Sequence, residues 1–543
     1  MKKIAFFIIS CITIWGCNDD LLDKYPVNAL YPSIYWQNST DAESAVNALY
    51  LHLPNITQIN MDKHTDLALR PSSRGNEIIT GNVTETLELF QEWWTTGYNG
   101  VAAANRVLEG LDLIPPANIT PEKLSRLKAE ARFIRAVSYT YLVNYFGDVP
   151  LITKSLQVAE ASKIERTPKQ EVMNFIESEL SEISNILPAS YIKPDIGRIT
   201  KGAVLAWKAR FMLWTKQYQK AADAAKSVMD LNVYSLHPDY ASLFKKGAEY
   251  ANKEVILEYI YSGIRTHDFY SQVAPTTIVA GKSTTLVTNI TRTLVDAYET
   301  VNGMAPAKDL AWNIEDPYKN RDPRLYATIW LPVYKTGSYA DMLWGQTKLL
   351  ECRPGSKTKD EVFLSATGNV TGFYIKKYTV PEDVATPTLS SQNFVILRYA
   401  DVLLMYAEAK IELGQIDATV IQAINSIRQR PGVNLPTLEA KGVNVTSQSE
   451  MRSAVRQERL VELAMEGWRF YDIRRWDIAA DIMKDSRPVP GMYYRDIKTN
   501  ERKEILVSIC VYNFPKKNSD YTFPVPWKES NMNPNLLPQN PGW

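Results

Sequence analysis

Glu458, Glu462 and Glu466 recur at four-residue intervals, a spacing that stacks three carboxylates on one face of a helix. Arg459, Arg469 and Asp472 stand close by, so the stretch holds the residue types of acid/base catalysis. The same residues also build a structural ion-pair network, and that is the stronger reading. Arg321-Asp322-Pro323-Arg324 likewise reads as a turn braced by charges. Gly281-Lys282-Ser283 resembles the end of a phosphate loop, but the pattern needs a glycine where Thr276 stands. No G-x-S-x-G elbow occurs, which removes the commonest esterase signature. His52, His64, His237 and His267 share no short spacing, and no paired C-x-x-C exists, so neither a metal site nor a cofactor is expected. A glycosidase needs just two carboxylates at the right separation, and 60 acidic residues leave that alternative open.

Thirteen Trp and 30 Tyr are many for 543 residues. Flat aromatic faces pack against the axial C–H groups of sugars, while Tyr and Trp polar atoms bond hydroxyls. Aromatics serve a helical core equally well, so abundance permits sugar binding without establishing it. Lys and Arg total 61 against 60 Asp and Glu, with no run of five like charges. A nucleic-acid binder needs clustered positive charge, so no nucleic-acid partner is expected.

Lys2 and Lys3 precede an apolar run from Ile4 to Ile14, too short to span a bilayer and the right length for a secretory signal. It ends in Ile14-Trp15-Gly16-Cys17, which resembles a lipobox; residues 1–16 then form the signal peptide and Cys17 the lipid attachment site. Asn18, Asp19 and Asp20 follow, similar to the export signal of surface lipoproteins in Bacteroidetes. Residues 17–33 read as a lipidated tether, anchored by acyl chains. No later segment reaches 18 apolar residues. Cys352 and Cys510 are the one possible internal pair, and spacing leaves their bonding open.

The elements that must position any site are mainly helical. Helical periodicity predicts elements at Asp41–Leu51, Glu88–Leu113, Pro121–Tyr145 capped by Thr120, and Thr167–Ile186 capped by Thr167. Thr200–Leu231 and Tyr399–Arg430 each read as a helix hairpin with alanines along the seam, as in tetratricopeptide pairs. A further helix is expected over Met451–Phe470, and a strand over Glu254–Glu258. Between the hairpin sets the periodicity fades and Pro, Gly and aromatics become frequent, the texture of an irregular insert that carries a binding surface.

Cys17-Asn18-Asp19-Asp20-Leu21-Leu22-Asp23 with Tyr25-Pro26, then Trp94, Tyr98 and Asn105, then Glu130-Ala131-Arg132-Phe133-Ile134-Arg135-Ala136 begin a resemblance, along nearly the whole chain, to the SusD/RagB family. It continues through Tyr145-Phe146-Gly147-Asp148-Val149-Pro150, Arg321-Asp322-Pro323-Arg324 and the Arg398–Ala409 block. Most specific are Glu458-Arg459-x-x-Glu462-Leu463-x-x-Glu466-Gly467-x-Arg469-x-x-Asp472 with Arg475-Trp476, and the closing Asn533-Pro534-Asn535-Leu536 and Gln539-Asn540-Pro541-Gly542-Trp543. The resemblance implies one mainly α domain over 34–543: a tetratricopeptide-like scaffold at about 34–250 and 395–480, a loop-rich insert at about 251–394, and a C-terminal wrap at about 481–543. It also implies a non-catalytic lipoprotein of the outer membrane that binds oligosaccharide and pairs with a SusC-like TonB-dependent transporter. Peptide uptake within the same family and a ligand-free helical scaffold are the other readings it leaves.

The family's shared blocks are its scaffold, so ligand contacts are expected outside them. The aromatics Trp312, Tyr339 and Trp344 of the insert are the prime candidates, with Trp330 after the Arg-Asp-Pro-Arg turn. Asp66, Arg74 and Asn76 lie in a polar stretch able to bond hydroxyls, and Trp93 joins them because Trp94 fills the family's packing position.

Overall fold

The computed structural model describes residues 35–543 apart from 73, 247–251, 280–287, 365–367 and 517–520. The leader, Cys17, the tether and Gly281-Lys282-Ser283 lie outside the described residues.

The scaffold is an array of antiparallel helices: α1 (Ser39–Leu49), α2 (Glu88–Leu111), α3 (Pro121–Phe146), α4 (Lys169–Ile183), α5 (Lys201–Trp214) and α6 (Tyr218–Asp230). After the insert come α7 (Tyr399–Glu412), α8 (Ala418–Arg428), α9 (Gln448–Glu462) and α10 (Arg469–Arg475). Each of α2 to α6 packs on the next, and α6 packs on α7 although the whole insert lies between them in sequence. The α5/α6 and α7/α8 hairpins are tetratricopeptide-like, with Ala203, Ala206, Ala209, Ala221 and Ala225 buried in the first seam.

Small residues set how closely these helices approach. A Cβ on Gly97 of α2 would lie 2.6 Å from Leu142 of α3, and one on Gly100 would lie 2.3 Å from the Ser138 hydroxyl. Those glycines give up helix propensity for close contact with α3. Local chemistry sets the ends. Thr120 caps α3, its Oγ1 accepting from Lys123 N–H at 3.3 Å, with Pro121 in the first turn.

Two expectations need correction. Thr167 does not cap α4: its backbone pairs with Val149 and its Oγ1 accepts from Leu151 N–H at 3.2 Å. Asp148 Oδ1 instead accepts from Lys169 N–H at 2.7 Å, and α4 begins two residues late. Nor is Met451–Phe470 one helix. The chain turns sharply between α9 and α10, with φ +57° at Met465 and +81° at Gly467. A Cβ on Gly467 would lie 2.0 Å from the Gln58 carbonyl oxygen, so this turn requires glycine.

The insert is tied to the scaffold at its neck. Strand β2 (Val255–Tyr259) pairs antiparallel with β6 (Phe394–Arg398), which leads directly into α7. Three more two-stranded pairs brace the irregular chain: β1 (Ala68–Leu69) with β3 (Asn289–Ile290), β4 (Ile329–Trp330) with β5 (Tyr374–Ile375), and β7 (Pro488–Arg495) with β8 (Arg502–Val511). The C-terminal stretch lies on α2 and α3: Phe523 N–H donates to Tyr145 O at 2.7 Å, and Asn540 Nδ2 donates to Phe146 O at 2.8 Å. Cys352 and Cys510 are each buried and unpaired. No described helix is long and apolar enough to cross a membrane.

Beneath the neck lies the charge cluster read from the sequence. Arg398 spans Glu254 (3.0 Å), Glu462 (2.6 Å) and Glu466 (2.8 Å). Arg324 joins Glu458 at 2.6 Å and Glu462 at 2.8 Å, and Arg430 meets Glu462 at 2.8 Å. All are buried. The turn after α9 is what lets Glu466 face Arg398 and Lys377. Burial opposes ionisation of Glu462, but Arg430, Arg398 and Arg324 outweigh it and hold the carboxyl well below the usual range. A carboxylate so held exchanges no proton near neutral pH. The cluster fastens insert strand, hairpin and α9 to one another.

Candidate functional site

The eight expected ligand residues divide by where their polar groups and faces go. Trp330, on β4, has no exposed surface; Trp344 packs edge-on against it at 4.7 Å and Lys376 Nζ lies 4.8 Å from its ring centre. It is a core residue, which corrects its place among the ligand contacts. Asp66 is corrected too: its carboxylate is buried and engaged by Arg469 through two bonds of 3.0 and 2.9 Å. Asn76 accepts from Arg70 N–H (2.9 Å) and donates to Arg70 O (2.9 Å) and Ser72 O (2.7 Å), so its buried amide closes its own loop. Arg74 in that loop is exposed. Trp93 stacks on Tyr145 at 4.3 Å and meets Phe523 at 5.6 Å and Phe470 at 5.9 Å, within an aromatic cluster.

The insert treats its aromatics differently. Trp312 is half-buried, its Nε1–H donating to Pro317 O at 3.1 Å. Tyr339 is 36% exposed, and its N–H donates to Asp316 at 2.9 Å while its ring meets Tyr326 at 5.1 Å. The 312–318 loop thus brings Trp312 and Tyr339 to one corner. Glu315 of the same loop pairs with Lys335 at 3.1 Å and with Arg495 at the end of β7. Trp344, also half-buried, packs instead on Trp330 and, at 6.4 Å and nearly parallel, on Tyr270.

A second aromatic corner was not anticipated. A cleft of about 200 Å³ opens where β2 ends, between residues 55–60 and 259–272. Tyr261 meets Tyr259 at 4.9 Å and His267 edge-on at 4.5 Å, and the Arg265 guanidinium lies 5.6 Å from the Tyr259 ring. Asn55, Asn60, Asp268 and Gln272 add amide and carboxylate groups to the walls. His267 is set by its neighbours: Nε2–H donates to Gln392 O at 2.9 Å, Nδ1 accepts from Phe269 N–H at 3.3 Å, and burial lowers its pKa. Burial likewise pushes the Tyr261 phenol up to about 12, with its hydroxyl bonded to the Ile56 backbone. Both rings are therefore neutral and fixed at ordinary pH, an edge able to stack and to exchange hydrogen bonds. The signal in the sequence was the tyrosine alternation at 259 and 261 beside Arg265 and His267, in a stretch whose strand reading stopped at Glu258. Among the described residues no group of His, Cys, Asp and Glu forms a metal site.

A mainly helical, tetratricopeptide-like scaffold carrying an irregular, aromatic-edged insert is the architecture of a binding protein. The profile of the SusD family matches residues 253–543, and a profile described as starch-binding and associating with the outer membrane matches residues 23–213. The chain belongs to the SusD family, a family of non-catalytic binding proteins at the outer-membrane surface. A SusD-like protein of Formosa agariphila is 26% identical over the full length of both chains. The starch-binding protein SusD of Bacteroides thetaiotaomicron is 29% identical over 28% of each chain. Among solved structures, a SusD-like carbohydrate-binding protein of Bacteroides fragilis superposes with a TM-score of 0.79 at 26% identity, covering 93% of this chain and all of that one. A laminarin-binding SusD-like protein shares the fold at 21% identity, with a TM-score of 0.68 over 93% of this chain and all of that one.

Proposed function

We propose that this protein captures oligosaccharide at the cell surface and passes it to a SusC-like TonB-dependent transporter, held at the outer membrane by a lipid on Cys17. The observation that carries the reading is the cleft of Tyr261, His267 and Arg265, whose fixed neutral rings and surrounding amides suit a sugar's C–H faces and hydroxyls. The Trp312–Tyr339 corner supplies a second aromatic edge, with Trp344 and the exposed Arg74 as further contacts. Carbohydrate, starch and laminarin in the descriptions of relatives support the ligand class. A shallow, solvent-washed edge gives modest affinity, a Kd of roughly micromolar to millimolar, or about −4 to −8 kcal/mol. Modest affinity fits a protein that must release its cargo to a transporter.

The test is the mature chain from Asn18 onward on an array of plant, host and microbial glycans, beside Tyr261→Ala, Trp312→Ala and Trp344→Ala. One glycan class binding intact, and weakened by substitution at unchanged melting temperature, supports capture. Release of reducing ends would mean a glycosidase, and binding of peptides alone would move the cargo to peptide.

A further inference from the structure

One cavity is lined by no residue of the insert. It is a trough of about 570 Å³ on the outer face of α2, roofless between the 150–164 segment and the C-terminal helix Trp527–Met532. Tyr98, Val101 and Ala102 form its floor, and Ile152, Met532 and Leu536 its walls. From Trp94 to Arg106 the floor runs along α2 for about 18 Å at the α-helical rise. Its rim leaves large apolar groups in water: Val158 is 88% exposed and Met532 67%. Contiguous apolar surface of this kind marks a place where something else is covered.

The polar groups of the trough are segregated. Arg106 and Lys154 stand at one end, Lys154 placed there because its carbonyl accepts from Asn105 Nδ2 at 3.2 Å. The neighbouring Glu109 carboxylate is engaged by Ser155 N–H at 2.6 Å, and among the described residues neither cation has a carboxylate within ion-pair distance. At the other end Glu529 bonds Gln91. Two polar groups along the middle are engaged within the protein: Tyr98 donates to Pro150 O at 2.9 Å, and Asn533 Nδ2 donates to Ile164 O at 2.8 Å, while the exposed Asn99 stands at the margin. Most of the side chains lining the trough are apolar, a surface that a polymethylene chain covers without burying any polar group of its own. A long apolar slot with an unneutralised cationic end matches an acyl chain joined to an anionic head.

We infer that this trough holds one acyl chain of an anionic membrane lipid, the head group meeting Arg106 and Lys154. The site is separate from the glycan edges and gives the protein a second hold on the membrane it serves.

The probe is the fluorescent fatty acid cis-parinaric acid, titrated into detergent-free mature protein, then displaced with phosphatidylglycerol or phosphatidylcholine vesicles. Saturable one-to-one binding is expected, displaced by phosphatidylglycerol at least tenfold more effectively than by phosphatidylcholine. Ala102→Trp fills the floor and should weaken the probe at least tenfold. Val158→Glu, at an exposed rim position that folding does not depend on, should weaken it as well if Ala102→Trp misfolds. Arg106→Gln with Lys154→Gln should abolish the preference for the anionic vesicle while the methyl ester of the probe still binds. Absence of saturable binding overturns the inference, as does binding indifferent to the trough substitutions. Equal displacement by both vesicles removes the anionic head, and displacement by free fatty acid but by neither vesicle removes the membrane as the source. A partner protein lost with Val158→Glu, where no probe binds, would make the trough a protein interface instead.

Discussion

Trp93 on α2 and Tyr261 just past β2 are both half-buried aromatics, yet their surroundings give them opposite duties. Trp93 has a parallel ring, Tyr145, at 4.3 Å on one face and phenylalanines 470 and 523 around it. Tyr261 has Tyr259 at 4.9 Å, His267 edge-on at 4.5 Å and its hydroxyl on the Ile56 backbone, and it lines an open cleft. Charges follow the same division. At the neck Arg398 is buried and matched by three glutamates, whereas Glu315, Lys335 and Arg495 pair where water reaches them. Residue type alone does not separate packing from binding. What separates them is whether a regular element backs the side chain on every face.

The sharpest way to break this comparison is at the matched charges. Arg398→Met removes one cation and leaves Glu254, Glu462 and Glu466 facing one another out of water, so stability should fall by about 3–5 kcal/mol. Denaturant unfolding reads this directly. An unchanged midpoint would mean that the network does not hold the neck.

A pH titration reaches the same region more gently. Asp62 is buried, with one oxygen accepting from Gly467 N–H at 3.1 Å and the other unpartnered. Burial, helped by Glu466 and opposed by the Gly467 N–H, Lys377 and Arg469, raises its pKa from 3.8 to about 7. Between those values the folded protein holds a proton that the unfolded chain has lost, so this group's contribution to stability falls as pH rises through the window and levels off above it. Asp62→Asn should therefore melt higher than the native protein at pH 8, with the gain vanishing near pH 4. A gain independent of pH would show that ionisation of Asp62 is not its source. Smaller again is the packing effect at Gly97→Ala, where the new methyl must displace Leu142 at a cost of about 1–3 kcal/mol.

Much of the scaffold was legible because helical signals are local. Thr120 and Pro121 marked the start of α3 correctly, and the alanine spacing marked the seam of α5 and α6. The failures came where a distant partner decides. Thr167 bonds a residue on the far side of a loop, and the break after α9 depends on the approach of Gln58 to Gly467. The site was harder still. Trp330, Asp66 and Asn76 have the residue types of ligand contacts, and only tertiary structure shows a β-strand core, an Arg469 partner and a self-closed loop. The Tyr261 cleft escaped because two segments about two hundred residues apart build it.

The finest test of the division between regions sets a small effect on binding against a large one on stability. Tyr261→Ala removes an edge of the cleft and should weaken glycan binding about tenfold, about 1.4 kcal/mol, with little change in unfolding. Trp93→Ala should do the reverse: it empties a ring-lined site, costs about 3–5 kcal/mol of stability, and leaves the affinity of the folded fraction intact. Measuring Kd and melting temperature on both variants crosses the two properties. If Trp93→Ala weakens binding beyond its effect on folding, the aromatic cluster on α2 reaches the ligand, and the glycan edge extends from the insert onto the scaffold. If Tyr261→Ala unfolds the protein as severely as Trp93→Ala, the cleft is packing that happens to face water, and the Trp312–Tyr339 corner becomes the binding edge.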